Sequence, residues 1–127
     1  MRRTITTLIL MFFCSFAYGQ AEVWACQSQA TAGLHWDGNK WNAGSFNEPT
    51  YLIKIDGENS TFRVDDYERR AICWKREETV TCNDFLGGTI FLNTETGKGG
   101  GAEIYGTTNT GSSRDTPTVS ALQCTKI

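Results

Sequence analysis

The sequence predicts an all-β domain in which about eight to ten short strands form an antiparallel meander, closed or nearly closed into a small barrel. No window of a dozen residues repeats apolar side chains at the three-and-four spacing of a helix. Short runs suited to strands recur instead at intervals of about 8 to 12 residues, separated by turn residues. The first and last runs each carry a cysteine, Cys26 and Cys124. A bridge between them favours a closed barrel, which removes both exposed sheet edges; a two-sheet sandwich is the alternative.

The predicted strands are short segments rich in β-branched, aromatic or alternating apolar residues. In chain order they are residues 22–27, 33–36, 41–46, 51–56, 61–64, 71–75, 79–83, 89–93, 102–107 and 119–125. Residues 65–70 are dense in charge and are assigned a helical turn. Residues 107–118 are rich in Thr, Ser, Gly and Asn, which indicates a long exposed loop before the last strand.

Turn residues between these runs predict hairpins. Asp37-Gly38-Asn39-Lys40 is a turn sequence that would place Trp36 opposite Trp41 as an aromatic cross-strand pair. Residues 57–59 link two runs that both alternate with period two. Residues 93–98 close a third hairpin before a tract of glycines.

The cysteine spacing predicts two disulfides. Four of the five cysteines lie beyond residue 20, which allows three pairings. Cys73 and Cys82 flank a segment centred on Glu77-Glu78, so a tight turn there would set them opposite each other on one hairpin. Cys26 then pairs with Cys124. A zinc site is disfavoured because close C-x-x-C pairs are missing and His35 is the single histidine, so we expect no metal and no cofactor.

The first nineteen residues have the layout of a secretory signal peptide. Arg2 and Arg3 precede an apolar run over residues 8–14, and Ala17 and Gly19 are small residues suited to a cleavage site. A membrane span needs about 20 apolar residues, more than this run supplies. We therefore expect a signal peptide at 1–19, cut after Gly19 or alternatively after Ala21. The product is a single domain at 20–127, periplasmic or secreted, without a membrane span.

Charge argues against a nucleic-acid partner. Without Arg2 and Arg3, ten of the twelve basic residues remain against fourteen acidic ones, a net charge of −4. Binding along a phosphate backbone needs a concentrated positive face.

No residue set has the spacing of a catalytic motif, and the chain is predicted not to be an enzyme. The glycine tract after Lys98 lacks the Ser or Thr of a phosphate-binding loop and is interpreted as a flexible turn. His35 is interpreted as a packing or rim residue. The acids Asp65, Asp66 and Glu68 are interpreted as solvated turn residues, although a hydrolase that uses them is a third functional hypothesis.

Tryptophan content is the feature with the most functional potential. Trp24, Trp36, Trp41 and Trp74 are many large rings for so small a domain. Tryptophans fill cores, but they also stack on ligands and line the mouths of barrels. Trp36 and Trp41 are the candidate ligand-contact residues.

In size, signal and cysteine count the chain is similar in plan to the periplasmic lysozyme inhibitors, which insert a loop with a Ser-Gly-x-x-Tyr pattern into the muramidase cleft. The nearest stretch here, residues 100–105, lacks the serine and has a different spacing. Avidin-like and lipocalin-like barrels share the aromatic meander. The resemblance is one of plan, and no family is assigned from it.

These observations predict an exported, non-enzymatic binding protein whose partner is unknown. The expected partner is a small amphipathic ligand held in the barrel mouth or an envelope protein bound through a loop. The alternative is a periplasmic inhibitor of an envelope hydrolase such as a lysozyme, with residues 97–105 or 107–118 as the inserted element.

Overall fold

A computed structural model describes residues 19–104 and 117–127, which form an all-β structure. The nine strands in these residues are β1 (Glu22–Trp36), β2 (Trp41–Ser45), β3 (Thr50–Ile55), β4 (Ser60–Val64), β5 (Tyr67–Arg76), β6 (Thr79–Asp84), β7 (Gly88–Asn93), β8 (Lys98–Glu103) and β9 (Thr118–Lys126), with one 3-10 turn at Gly57–Asn59. Nowhere in these two ranges is there a helix with the length and hydropathy to cross a membrane. The predicted signal peptide at 1–19 falls almost wholly outside the described residues.

Eight of the strands close into an antiparallel barrel. Neighbouring strands follow the order β1-β3-β4-β5-β6-β7-β8-β9, and β9 pairs back onto β1 from Trp24↔Lys126 to Gly33↔Thr118. The ninth strand, β2, extends the sheet from the second half of β1. The predicted closed barrel is therefore confirmed, and the sandwich alternative is wrong.

Both predicted disulfides are present, Cys26–Cys124 and Cys73–Cys82. Each joins residues that lie directly opposite each other on paired strands. The four cysteines point into the barrel together with the apolar core. The other buried apolar residues are Trp24, Tyr51, Ile53, Phe62, Ala71, Val80, Ile90, Leu92 and Leu122.

The strand β1 is longer than the sequence indicated, because residues 22–27 and 33–36 belong to one strand of 15 residues. Its register shifts between Ser28 and Ala30, a bulge that re-aims the chain where its partner changes from β3 to β2. The intervening Ser28 and Thr31 resemble loop residues in sequence. They face the interior, where their hydroxyls bond to each other at 2.9 Å.

Two local predictions are wrong. The helical turn assigned to residues 65–70 is a tight turn followed by a strand, with Asp65 at a φ of 50° and β5 beginning at Tyr67. The flexible turn assigned to the glycine tract is strand β8, paired on both sides. Glycine is required at position 99 because a Cβ there would lie 2.5 Å from the backbone carbonyl oxygen of Phe91 on β7.

Candidate functional site

The β1–β2 hairpin projects past one end of the barrel. The last pair between β1 and β9 is Gly33↔Thr118, and Leu34 then donates its N–H to the carbonyl oxygen of Pro117 at 3.0 Å. Beyond this point β1 continues to Trp36 with β2 as its partner. The hairpin tip therefore stands clear of the barrel wall.

The turn at the hairpin tip is fixed by the carboxylate of Asp37. Its Oδ1 accepts the backbone N–H groups of Asn39 and Lys40, each at 2.9 Å, and its Oδ2 accepts the side-chain amide of Asn42 at 2.7 Å. The N–H groups of Lys40 and Asn39 hold the pKa of Asp37 below its usual value. Gly38 takes a positive φ of 95° in this turn. Glycine adopts such a conformation readily because it has no Cβ. These bonds stabilise the turn at the tip.

Trp36 and Trp41 lie directly opposite each other across this hairpin, as the turn sequence predicted. Their ring centroids are 5.5 Å apart and their planes are inclined by 59°. This is the tilted geometry that aromatic pairs favour over a face-to-face sandwich. Both rings are half-buried, so each keeps part of its surface available to a partner.

One side of the hairpin carries no charge. The cross-strand pairs Ala32/Ser45, Leu34/Ala43 and Trp36/Trp41 alternate onto the same side, which we call the hairpin face. Leu34 on this face is 40% exposed. On the opposite side lie Gly33, His35, Asn42 and Gly44, with the ring of Phe46 approaching both glycines. His35 is exposed on that side, in the projecting part of the hairpin.

The barrel end below the hairpin holds three charged groups that sequence reasoning did not bring together. Nη1 of Arg69 lies 3.2 Å from Oδ2 of Asp84 and 3.1 Å from Oε1 of Glu103. The side chain of Asp84 is only 1% exposed. Its Oδ1 also accepts the N–H groups of Leu86 and Gly88, at 2.8 and 2.6 Å. A surface cavity of about 320 Å³ lies beside Arg69 and Glu103.

A sequence signal for this ion-pair group did exist. Arg69 is two residues before Ala71 and four before Cys73, both of which face inward, so the alternation of β5 directs Arg69 into the barrel end. An inward guanidinium requires carboxylate partners. Those partners are 15 and 34 residues further along the chain, so spacing alone did not identify them.

Hydroxyl groups near the same end bond to one another. The hydroxyls of Thr31 and Ser120 are 2.8 Å apart, and Ser120 also bonds the hydroxyl of Tyr51. Burial raises the pKa of Tyr51, and its hydrogen bond to Ser120 partly opposes that shift. Ser120 thus bonds hydroxyl groups, whereas a serine nucleophile needs a neighbouring general base.

The acids considered for a hydrolase lie at an exposed turn. Oδ1 of Asp65 accepts the backbone N–H of Thr50 at 3.0 Å and its hydroxyl at 3.3 Å, which ties the β4–β5 turn to β3. Asp66 is the next residue of that turn, and Glu68 lies opposite Arg63 in the register of the neighbouring strand. Within 19–104 and 117–127, no three His, Cys, Asp or Glu side chains are grouped as metal ligands would be.

The outer wall of the barrel has an open groove of about 490 Å³ across β9, β1, β3 and β4. Its lining includes Gln27, Gln29, Gln123, Arg63 and Asp65. Pockets for small amphipathic ligands are usually enclosed, whereas this groove is open and has charged and amide side chains in its lining. The hairpin face is therefore the stronger candidate for a binding surface.

Comparison of the chain with protein-family models, with curated proteins and with solved structures finds no match.

Proposed function

We propose that the protein is a non-enzymatic binding protein that acts outside the cytoplasm and contacts a protein partner through the hairpin face. The observation that carries the proposal is the Trp36–Trp41 pair, which lies on the uncharged hairpin face next to the turn of the projecting hairpin. Tryptophan is among the residues that most often dominate binding energy at protein interfaces. The signal-like leader and the two disulfides support an extracytoplasmic location.

The barrel interior is filled by side chains, which favours a partner bound to the outer surface over a small ligand bound inside the barrel. Large side chains such as Trp24, Ile53 and Phe62 are buried along the barrel axis. The end near the hairpin holds the Arg69 ion pairs and the bonded hydroxyls of Tyr51 and Ser120. Any ligand entering there would have to displace charged groups that already have partners, which costs free energy.

Removal of the tryptophan rings tests this proposal. Because truncating a central aromatic anchor costs about 2 kcal/mol or more, we expect Trp36→Ala and Trp41→Ala each to weaken partner binding about 30-fold. The measurement is cross-linking capture from the envelope of the producing cells, followed by affinity measurement on the partner retained by the wild-type protein.

The matched control is Trp74→Ala. Trp74 is 47% exposed but lies on β5, on the barrel wall, so its removal should leave binding unchanged. Near-ultraviolet circular dichroism and urea unfolding would verify that all three variants fold. A partner held equally well by the Trp36→Ala and Trp41→Ala variants would contradict the proposal.

A second candidate function is inhibition of an envelope hydrolase such as a lysozyme, because the projecting hairpin has the shape of an element that enters a cleft. The structure corrects one of the insertion elements expected from sequence: within 97–105, residues Lys98–Glu103 form β8, held on both sides by β7 and β9. Most of the other, 107–118, lies outside the described residues. The Asp37–Lys40 tip is the better-placed element in the described part of the chain.

Enzyme assays separate the two candidates. An inhibitor should reduce the rate of a muramidase or an envelope protease as the protein is titrated, and Trp36→Ala should raise the concentration needed. Unchanged rates for both enzyme classes at saturating protein would reject inhibition and leave the binding proposal standing.

A further inference from the structure

The strand β2 has one lateral edge with no partner in the described residues. The N–H of Leu34 points to β9, where it bonds Pro117, so its neighbours Gly33 and His35 direct their backbone groups toward β2. Their partners on β2 are Gly44 and Asn42. The backbone N–H and C=O groups of the alternate residues Trp41, Ala43 and Ser45 therefore point away from β1.

This edge lacks the features that usually protect an edge strand. Trp41–Ser45 contains no charged residue and no proline, and its pairing with β1 is regular over all five residues. Ala43 and Ser45 are exposed. Exposed, uncharged strand edges readily pair with another strand, and natural proteins normally block them with lysine, proline or a bulge. The edge is thus suited to strand addition.

The geometry points to a second copy of this chain as the occupant, with the two β2 strands antiparallel across a two-fold axis at Ala43. In this register the three residues of each strand whose backbone N–H and C=O groups point away from β1 all form hydrogen-bonded pairs. Ala43 pairs with Ala43 of the second copy, and Trp41 pairs with Ser45 of the second copy. About six backbone hydrogen bonds form. The large ring of Trp41 lies beside the smallest polar side chain of the strand, and no like charges meet.

Charged residues flank β2: Lys40 directly precedes it, and Glu48 follows three residues after its end at Ser45. Continued past the strand ends, the same register brings these charges together. Lys40 lies opposite Phe46 of the second copy, and Glu48 of that copy is two residues further along. Diagonal neighbours on adjacent strands are about 7–8 Å apart, within reach of long side chains. Lys40 and Glu48 are both exposed, and neither forms an ion pair within 19–104 or 117–127. Because of the two-fold symmetry, the contact between Lys40 of one copy and Glu48 of the other occurs twice.

The dimer is a weak one that depends on concentration. A pair of five-residue strands buries less than the roughly 1,200 Å² of a stable interface. Pairing joins two hairpin faces into a single four-stranded sheet, so a multivalent partner would be bound at two points. The inference rests on the free edge of β2, and it stands or falls independently of the proposed function.

Sedimentation velocity of the folded chain over a concentration series tests the dimer. The wild-type protein should shift from monomer to dimer as concentration rises. Lys40→Glu and Glu48→Lys alone should each weaken association about tenfold, because each creates two like-charge contacts. The double variant, which restores opposite charges, should return association to within about threefold of wild type.

The variant Ala43→Lys is a second test of the dimer. It places two lysines directly opposite each other at the two-fold axis and should abolish association. Asn83→Lys is the matched control, adding the same charge at an exposed position on β6 without effect on association. Three results would each overturn the inference: a wild-type protein that stays monomeric throughout the series, a dimer unaffected by Ala43→Lys, or a double charge variant no stronger than the single variants.

Discussion

Replacing Cys26 and Cys124 together with alanine is expected to lower the free energy of unfolding by about 5 kcal/mol, because the bridge closes a loop of nearly the whole domain. The two cysteines are 98 residues apart in sequence. Their bridge also joins β1 to β9 at the seam of the barrel. Without it, the unfolded chain gains conformational freedom that folding must remove again.

The second disulfide is a matched control for this effect. Cys73 and Cys82 are 9 residues apart, so the same loop-entropy argument gives a loss of only about 2.7 kcal/mol for Cys73→Ala/Cys82→Ala. All four cysteines are buried, so the two double variants lose similar packing. Urea unfolding of both variants measures the difference. Equal losses would show that packing around the sulfur atoms, and not loop closure, determines their contribution.

Features that depend on neighbours in the sequence could be predicted from it. The Asp37-Gly38-Asn39-Lys40 turn sets the register of its own hairpin, which is why the Trp36–Trp41 pair was recoverable. The turn at Glu77 likewise sets Cys73 opposite Cys82, and elimination then leaves Cys26 for Cys124. Barrel closure followed from placing that last bridge between the first and last strands.

Features that depend on distant partners could not be predicted. Ser28 and Thr31 interrupt the apolar pattern of β1, and the strand continues through them because Thr31 finds the hydroxyl of Ser120, 89 residues away. The glycine tract resembles a turn, but Gly99 is needed in a strand because the backbone carbonyl oxygen of Phe91 occupies the space of a Cβ there. In both cases tertiary packing overrides the local preference of the residues.

The ion-pair group at the barrel end is expected to show the other large effect: Arg69→Met should lower the free energy of unfolding by about 3–5 kcal/mol, since it leaves the buried carboxylate of Asp84 without its cation. A methionine keeps most of the volume of the arginine stem, so the loss reports the charge. Arg63→Met on β4 is the control, because Arg63 is exposed and forms no ion pair in the described ranges, and its loss should stay within about 0.5 kcal/mol.

A compensating change separates the buried charge from simple loss of packing. Asn at position 84 keeps a side-chain oxygen that can accept the N–H groups of Leu86 and Gly88, which Asp84 holds at 2.8 and 2.6 Å, but it carries no charge. The double variant Arg69→Met/Asp84→Asn should therefore recover much of the stability lost in Arg69→Met, as urea unfolding would show. If the double variant is no more stable than Arg69→Met, the unpaired Asp84 carboxylate is not the cause of the loss. The role of Arg69 would then lie in its packing or in its contact with Glu103, whose Oε1 it approaches at 3.1 Å.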